Sequence, residues 1–117
     1  MSGDLWLWVS IGAVAVLAIR RLAGGKRVSP DVVREKIKAG ATVVDVRTPG
    51  EYQSGAYPGA VNIPVRELDR RLGELRKDRP VVVYCASGMR SASAERLLRA
   101  RGFADVVNGG GLGSMPR

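Results

Sequence analysis

A three-layer α/β domain with a mainly parallel central sheet flanked by helices, preceded by one N-terminal transmembrane helix, is the architecture that this 117-residue sequence predicts. Three observations lead there. Thr42 to Val46 and Pro80 to Tyr84 are short, β-branched and apolar on both faces, as strands buried inside a parallel sheet are. Helical patterns alternate with such runs, the order that parallel strands and their crossovers impose. Leu5 to Ile19 is a stretch of fifteen residues without a charge, bracketed by Asp4 and Arg20. The expected division is an anchor over residues 1–23, a linker over 24–28 and the folded domain over 29–117.

The apolar run is shorter than the roughly 20 residues that a spanning helix uses. Its flanks extend it: Leu22 and Ala23 prolong the apolar face, Arg20 and Arg21 can snorkel, and Trp6 and Trp8 suit an interfacial belt. A cleaved signal peptide carries its positive charge ahead of the apolar run, whereas here Met-Ser-Gly-Asp precedes it and Arg20, Arg21, Lys26 and Arg27 follow. That order predicts a retained single-pass anchor in a lipid bilayer of the bacterial inner-membrane type. The positive-inside rule then places the domain in the cytoplasm, with the periplasm as the alternative.

The formal net charge is +8, but it is spread along the chain: residues 1–27 hold four basic groups and one acid, residues 28–117 fifteen and ten. Arg66, Arg70, Arg71, Arg76, Lys77 and Arg79 alternate with Glu67, Asp69, Glu74 and Asp78, the pattern of a solvated face. Attraction to an anionic leaflet, at about 1 kcal/mol per basic residue near the surface, fits this better than nucleic acid, which is not expected as a partner. One cysteine and no histidine exclude an internal disulfide, a Cys/His zinc site and a Ser-His-Asp triad. No metal or cofactor is expected.

Ser29-Pro30-Asp31 reads as a helix start, with Ser29 capping, Pro30 in the first turn and Asp31 facing the positive end of the dipole. This helix runs to about Ala39, carries Val32, Val33 and Ile37 as its apolar stripe, and stops at Gly40. The first strand, Thr42 to Val46, ends in the turn Arg47-Thr48-Pro49-Gly50, and Glu51 to Ser54 makes a brief helix. Tyr57-Pro58-Gly59 turns the chain into a second strand, Ala60 to Ile63. Val65 to Leu75 has leucines at 68, 72 and 75, at helical spacing. Pro80 to Tyr84 is the most β-like run and is expected at the centre of the sheet, with Cys85 at its C-terminal end. Ser91 to Arg101 is a helix closed by Gly102, and Asp105 to Val107 is a last short strand. Ligands of such a sheet bind at the strands' C-terminal ends.

The segment Cys85-Ala86-Ser87-Gly88-Met89-Arg90 therefore joins a strand to a helix N-terminus. A turn of this kind, built from small residues, points backbone N–H groups inward and forms an anion cradle at the positive end of a helix dipole. The same field lowers a thiol's pKa from its usual value near 8.5. Arg90 is placed to curl back over the cradle and pair with an oxyanion. The bland reading of a lone cysteine after an apolar strand is a buried structural residue. A buried structural residue needs neither a glycine-bearing loop nor a guanidinium, so the pattern favours a nucleophile.

Asp45 to Pro64, DVRTPGEYQSGAYPGAVNIP, and Val81 to Leu98, VVVYCASGMRSASAERLL, resemble in order the two signatures of rhodanese domains, and the resemblance extends over residues 29–117. The tail VVNGGGLGSMPR is similar to the ending of the small phage-shock rhodaneses. The resemblance implies a rhodanese-like fold and a sulfurtransferase of the thiosulfate type. Sulfane sulfur would move from thiosulfate or another persulfide donor to cyanide or a thiol. It also implies Cys85 as nucleophile and persulfide carrier, the backbone of Ala86, Ser87, Gly88, Met89 and Arg90 as the cradle of the outer sulfur, and Arg90 as the residue binding an anionic donor. Asp45, Arg47 and Glu51, near the strand ends, are expected to pair with one another and brace the site, and Ser91 supports it from the helix start. Where the family often has Gly-His, this chain has Gly55-Ala56-Tyr57, so the histidine's hydrogen bond is absent or taken over by Tyr57.

Two rivals remain at this point. A cysteine phosphatase has a similar cradle, but one residue longer and normally preceded by histidine, whereas four residues separate Cys85 from Arg90 and Tyr84 precedes. A non-catalytic rhodanese module that recruits a partner to the membrane is disfavoured because the cysteine is present.

Overall fold

The computed structural model describes residues 28–117. The expected anchor and all but the last residue of the expected linker lie outside the described residues. Among the described residues, no helix is long and apolar enough to cross a membrane.

Helix α1 spans Pro30–Lys38 as the capping pattern requires, with the Ser29 side chain accepting the Val32 N–H. Gly40, at φ 92°, supplies the left-handed stop. The expected stripe needs one correction. Val33 is buried and Ile37 packs against the core, but Val32 is 40% exposed. One step of helix rotates its neighbour by about 100°, so both valines cannot face a single sheet.

The strands are β1 (Thr42–Asp45), β2 (Val61–Asn62), β3 (Val81–Cys85) and β4 (Val106–Gly111), in the order β2-β1-β3-β4 and all parallel. Successive side chains on a strand face opposite ways, and the core divides accordingly. Val44, Val81, Val83 and Cys85 pack with Leu68, Leu98 and Phe103 on one face. Val43, Val82 and Tyr84 pack with Val33 and Met115 on the other. Helix α2 (Pro49–Gln53) follows β1 and is started by a reciprocal capping box between Thr48 and Glu51. Helix α3 (Met89–Ala100) crosses from β3 to β4 and begins two residues earlier than the sequence indicates.

Two further corrections concern element type and length. Val65 to Leu75 is not one α-helix but two 3-10 turns, Val65–Arg70 and Leu72–Glu74, broken at Arg71 (φ −118°, ψ 19°). Neither turn has a side-chain cap, and Gly73 weakens the second, so the segment follows its leucines instead of its own propensity. Leu68 and Leu75 are buried, each worth roughly 1.5–3 kcal/mol, whichever helical form delivers them. Strand β4 continues past Val107 through Asn108 and Gly109 to Gly111, buried throughout. The chain's first described residue pairs with it, Val28 N–H donating to the Asn108 carbonyl at 2.9 Å.

Candidate active site at the end of the third strand

The C-terminal ends of β1 and β3 lie side by side, with Asp45 in register with Tyr84. Cys85 closes β3 and is fully buried, whereas Ala86, Ser87 and Met89 of the following loop are exposed. Gly88 takes φ 97°, a left-handed conformation open to few other residues, and stands as the N-cap of α3 without any side-chain cap. The first amides of α3 are thereby left to other partners. The Gly88 N–H donates to Cys85 Sγ at 2.9 Å, and Ser91 Oγ lies 3.4 Å from the sulfur.

Burial pushes the Cys85 thiol up and is the largest single influence. Hydrogen bonds from the Ser91 hydroxyl and from the amides of Ser91, Ser87 and Gly88 outweigh it together, and the thiol sits below its ordinary value.

Behind the sulfur stands Asn108, which the sequence reading did not single out. Gly110 N–H donates to its Oδ1 at 2.9 Å, and its Nδ2 donates to the Gly88 carbonyl at 3.0 Å. Backbone groups on both sides thus fix which end of the amide is oxygen. Ser91 Oγ, 2.7 Å from that oxygen, spends its single proton there. In the neutral state the serine oxygen therefore receives the S–H; once the thiol ionises, the hydroxyl must turn its proton towards the sulfur. Asn108 signals itself in sequence only through its company. Three glycines continuing a strand mark a close backbone approach. Any Cβ on Gly111 would collide with the Ala86 carbonyl, and one on Gly88 would come within 3.3 Å of Gly110 Cα.

At the end of β1 the means are different. Asp45 is fully buried and accepts from the Arg47 N–H at 2.9 Å, from Arg47 Nε at 3.0 Å and from Nη2 at 2.7 Å. Arg47 Nη2 also donates to the Gly55 carbonyl at 2.7 Å. Tyr84 donates its hydroxyl to Asp45 at 2.8 Å and accepts the Tyr57 N–H at 2.9 Å. Burial above all pushes the Tyr84 phenol up to about 12. Its side chain faces away from the sulfur, on the opposite side of the sheet. The expected Tyr57 contribution is therefore a backbone amide and an edge-on ring contact with Tyr84 at 6.4 Å.

Glu51 does not join Asp45 and Arg47. Its carboxylate accepts from Arg90 Nη1 at 2.8 Å and Nη2 at 3.0 Å, and from Thr48 N–H at 3.2 Å. Arg90 foremost, then Thr48, holds it down at about 2. Arg47 is committed to Asp45 and the Gly55 carbonyl, and the carboxylate at the start of α2 meets the guanidinium at the start of α3. Arg90 thus pairs with Glu51, and its guanidinium also feels the charge of Cys85. Ala86 and Met89 present no side-chain hydrogen-bonding group, and Met89 is 78% exposed.

A family model described as the rhodanese-like domain matches residues 29–111. A thiosulfate sulfurtransferase, PspE, from Escherichia coli is 39% identical over 71 residues, covering 59% of this chain and 68% of that protein. A thiosulfate sulfurtransferase, GlpE, from Pseudomonas syringae is 36% identical over 87 residues, covering 73% and 82%. The match spans 62% of a sulfurtransferase from Allochromatium vinosum, at 42% identity and over 56% of this chain. Among solved structures, a rhodanese with anions from E. coli aligns with a TM-score of 0.62 at 37% identity, covering 66% of this chain and 95% of its own.

Proposed function

Since the chain belongs to the rhodanese-like domain family, we propose that it is a thiosulfate sulfurtransferase in which Cys85 carries sulfane sulfur as a persulfide. The observation that carries this reading is the buried Cys85 sulfur accepting the Gly88 N–H at 2.9 Å with the Ser91 hydroxyl 3.4 Å away, surroundings that lower its pKa despite full burial. The Cys85 thiolate attacks the outer sulfur of thiosulfate; the sulfur–sulfur bond of the donor breaks, and sulfite leaves with the electron pair. The persulfide's terminal sulfur inherits the negative charge, and the amides of the loop from Ala86 to Arg90 hold it. A thiolate or cyanide then attacks that terminal sulfur, and Cys85 departs as the thiolate. The lowered thiol pKa favours the thiolate that attacks, which lessens the need for a general base. For Arg90 to bind an anionic donor, the donor must compete with Glu51 for the guanidinium.

Mass spectrometry of the full chain after thiosulfate treatment is expected to find one added sulfur on Cys85 and none in Cys85→Ser, which has no turnover. Sulfur transfer surviving in Cys85→Ser, or phosphatase activity of the unaltered chain above that variant, overturns the reading. Residues 1–23 we read as a membrane anchor with the domain on the cytoplasmic side, supported by the charge-free run and the basic cluster after it. Recovery of the full-length protein in the soluble fraction of cells ends that reading.

A further inference from the structure

Beside the cradle runs a groove of about 620 Å3, walled by Thr48 and Pro49 on one side and by the 3-10 turn from Val65 to Arg70 on the other, and bordered by Arg90. Its size falls in the range of sites for whole small molecules, roughly 300–1,000 Å3, and is far more than thiosulfate or cyanide fills. Three guanidiniums, Arg66, Arg70 and Arg90, face one carboxylate, Glu67. The positive excess is not at the Arg90 end, because Glu51 takes that guanidinium with two hydrogen bonds. It is at the far end. Glu67 divides itself between Arg70 at 3.3 Å and Arg71 at 3.6 Å, and Arg66 makes no ion pair among the described residues. Between the two ends the walls are apolar, from Val46, Pro49, Pro64 and Val65.

We propose that this groove binds the sulfur acceptor, and that the acceptor is a peptide-sized thiol bearing a carboxylate, its acid group held by Arg66 and Arg70 and its thiol directed to the cradle. The inference rests on the persulfide reading above and adds the acceptor's class to it. The step balances as a simple exchange. The acceptor thiol loses its proton to solvent, its thiolate forms a bond to the terminal sulfur, the Cys85 sulfur–sulfur bond breaks, and Cys85 leaves as the thiolate. Arg66 and Arg70 touch no reacting atom; they set which thiols arrive productively.

The test loads Cys85 with thiosulfate, removes the donor and follows persulfide discharge in the full chain and in the double variant Arg66→Ala/Arg70→Ala. The probes are glutathione, uncharged 2-mercaptoethanol, and cyanide. Discharge to glutathione is expected to slow by about fivefold, as befits two exposed ion pairs, while the other two change by less than about twofold. Binding of S-methylglutathione, which cannot accept sulfur, is measured on the unloaded chain, so this arm is independent of whether thiosulfate loads Cys85. Saturable binding that weakens in the double variant supports the groove. Failure of loading alone strikes the sulfurtransferase reading. Equal slowing for glutathione and 2-mercaptoethanol, no slowing for either, or binding of S-methylglutathione that is absent or indifferent to the substitutions overturns the groove assignment.

Discussion

The neighbouring ends of β1 and β3 are held by opposite means. At β1, a buried carboxylate, a buried guanidinium and a phenol close on one another, and the hydrogen bonds run between side chains or into fixed carbonyls. At β3, the sulfur meets backbone amides, a serine and an asparagine whose own orientation is set by backbone groups. Side-chain ion pairs saturate one another and leave little for a ligand; amides aimed at one point can serve a thiolate and then a terminal sulfur. On the function proposed above, the first end braces the sheet and the second does the chemistry.

If that division holds, Asp45→Ala should have the largest effect on stability, because it strands Arg47 as a buried charge. A loss of about 3–5 kcal/mol is expected in urea unfolding, with the Cys85 titration of the remaining folded protein little altered. A Cys85 pKa that moved as much as the stability fell would dissolve the distinction. Gly111→Ala sharpens it from the other side. A methyl group meets the Ala86 carbonyl, so about 1–3 kcal/mol of stability should be lost, together with most of the persulfide formed from thiosulfate in a fixed time. Retention of wild-type loading would show that the loop does not depend on this close approach. The smallest change is Ser91→Ala, worth about 0.5–1.5 kcal/mol as one hydrogen bond. It removes a hydroxyl that lowers the Cys85 pKa, so the pH profile of thiolate absorbance should move to higher pH. Because the folded thiol is the more acidic, its stabilising share is complete above the ordinary thiol pKa and fades as pH falls through the folded value. The ionisation-linked part of the difference between variant and parent should therefore vanish at low pH, leaving the loss of the hydroxyl's bond to Asn108.

The parts of this protein that were legible in its sequence are those specified locally. Ser29, Pro30 and Gly40 delimit α1 through their own caps, and the β-branched runs announce β1 and β3. The position of Cys85 at a strand end followed from them. What was not legible depends on partners distant in sequence. Asn108 to Gly111 have poor intrinsic strand preference and are drawn into β4 by β3 and the active-site loop. The leucines at 68, 72 and 75 satisfy a 3-10 turn as well as an α-helix, and spacing alone does not separate the two. Glu51 had two arginines within plausible reach, and only the folded arrangement reveals that Arg47 is committed to Asp45 while Arg90 is not.

The full burial of Cys85 has a bearing on how long the protein lasts between encounters with a donor. An ionised thiol is ordinarily among the first groups that peroxide consumes, passing through sulfenic acid to irreversible sulfinic and sulfonic acids. That vulnerability requires both thiolate character and exposure; the sulfur is acidified by its surroundings and covered by the chain, and an opening that admits thiosulfate also admits the smaller peroxide. With no second cysteine in the sequence, a sulfenic acid at Cys85 has no partner for an internal disulfide, and its rescue requires an external thiol.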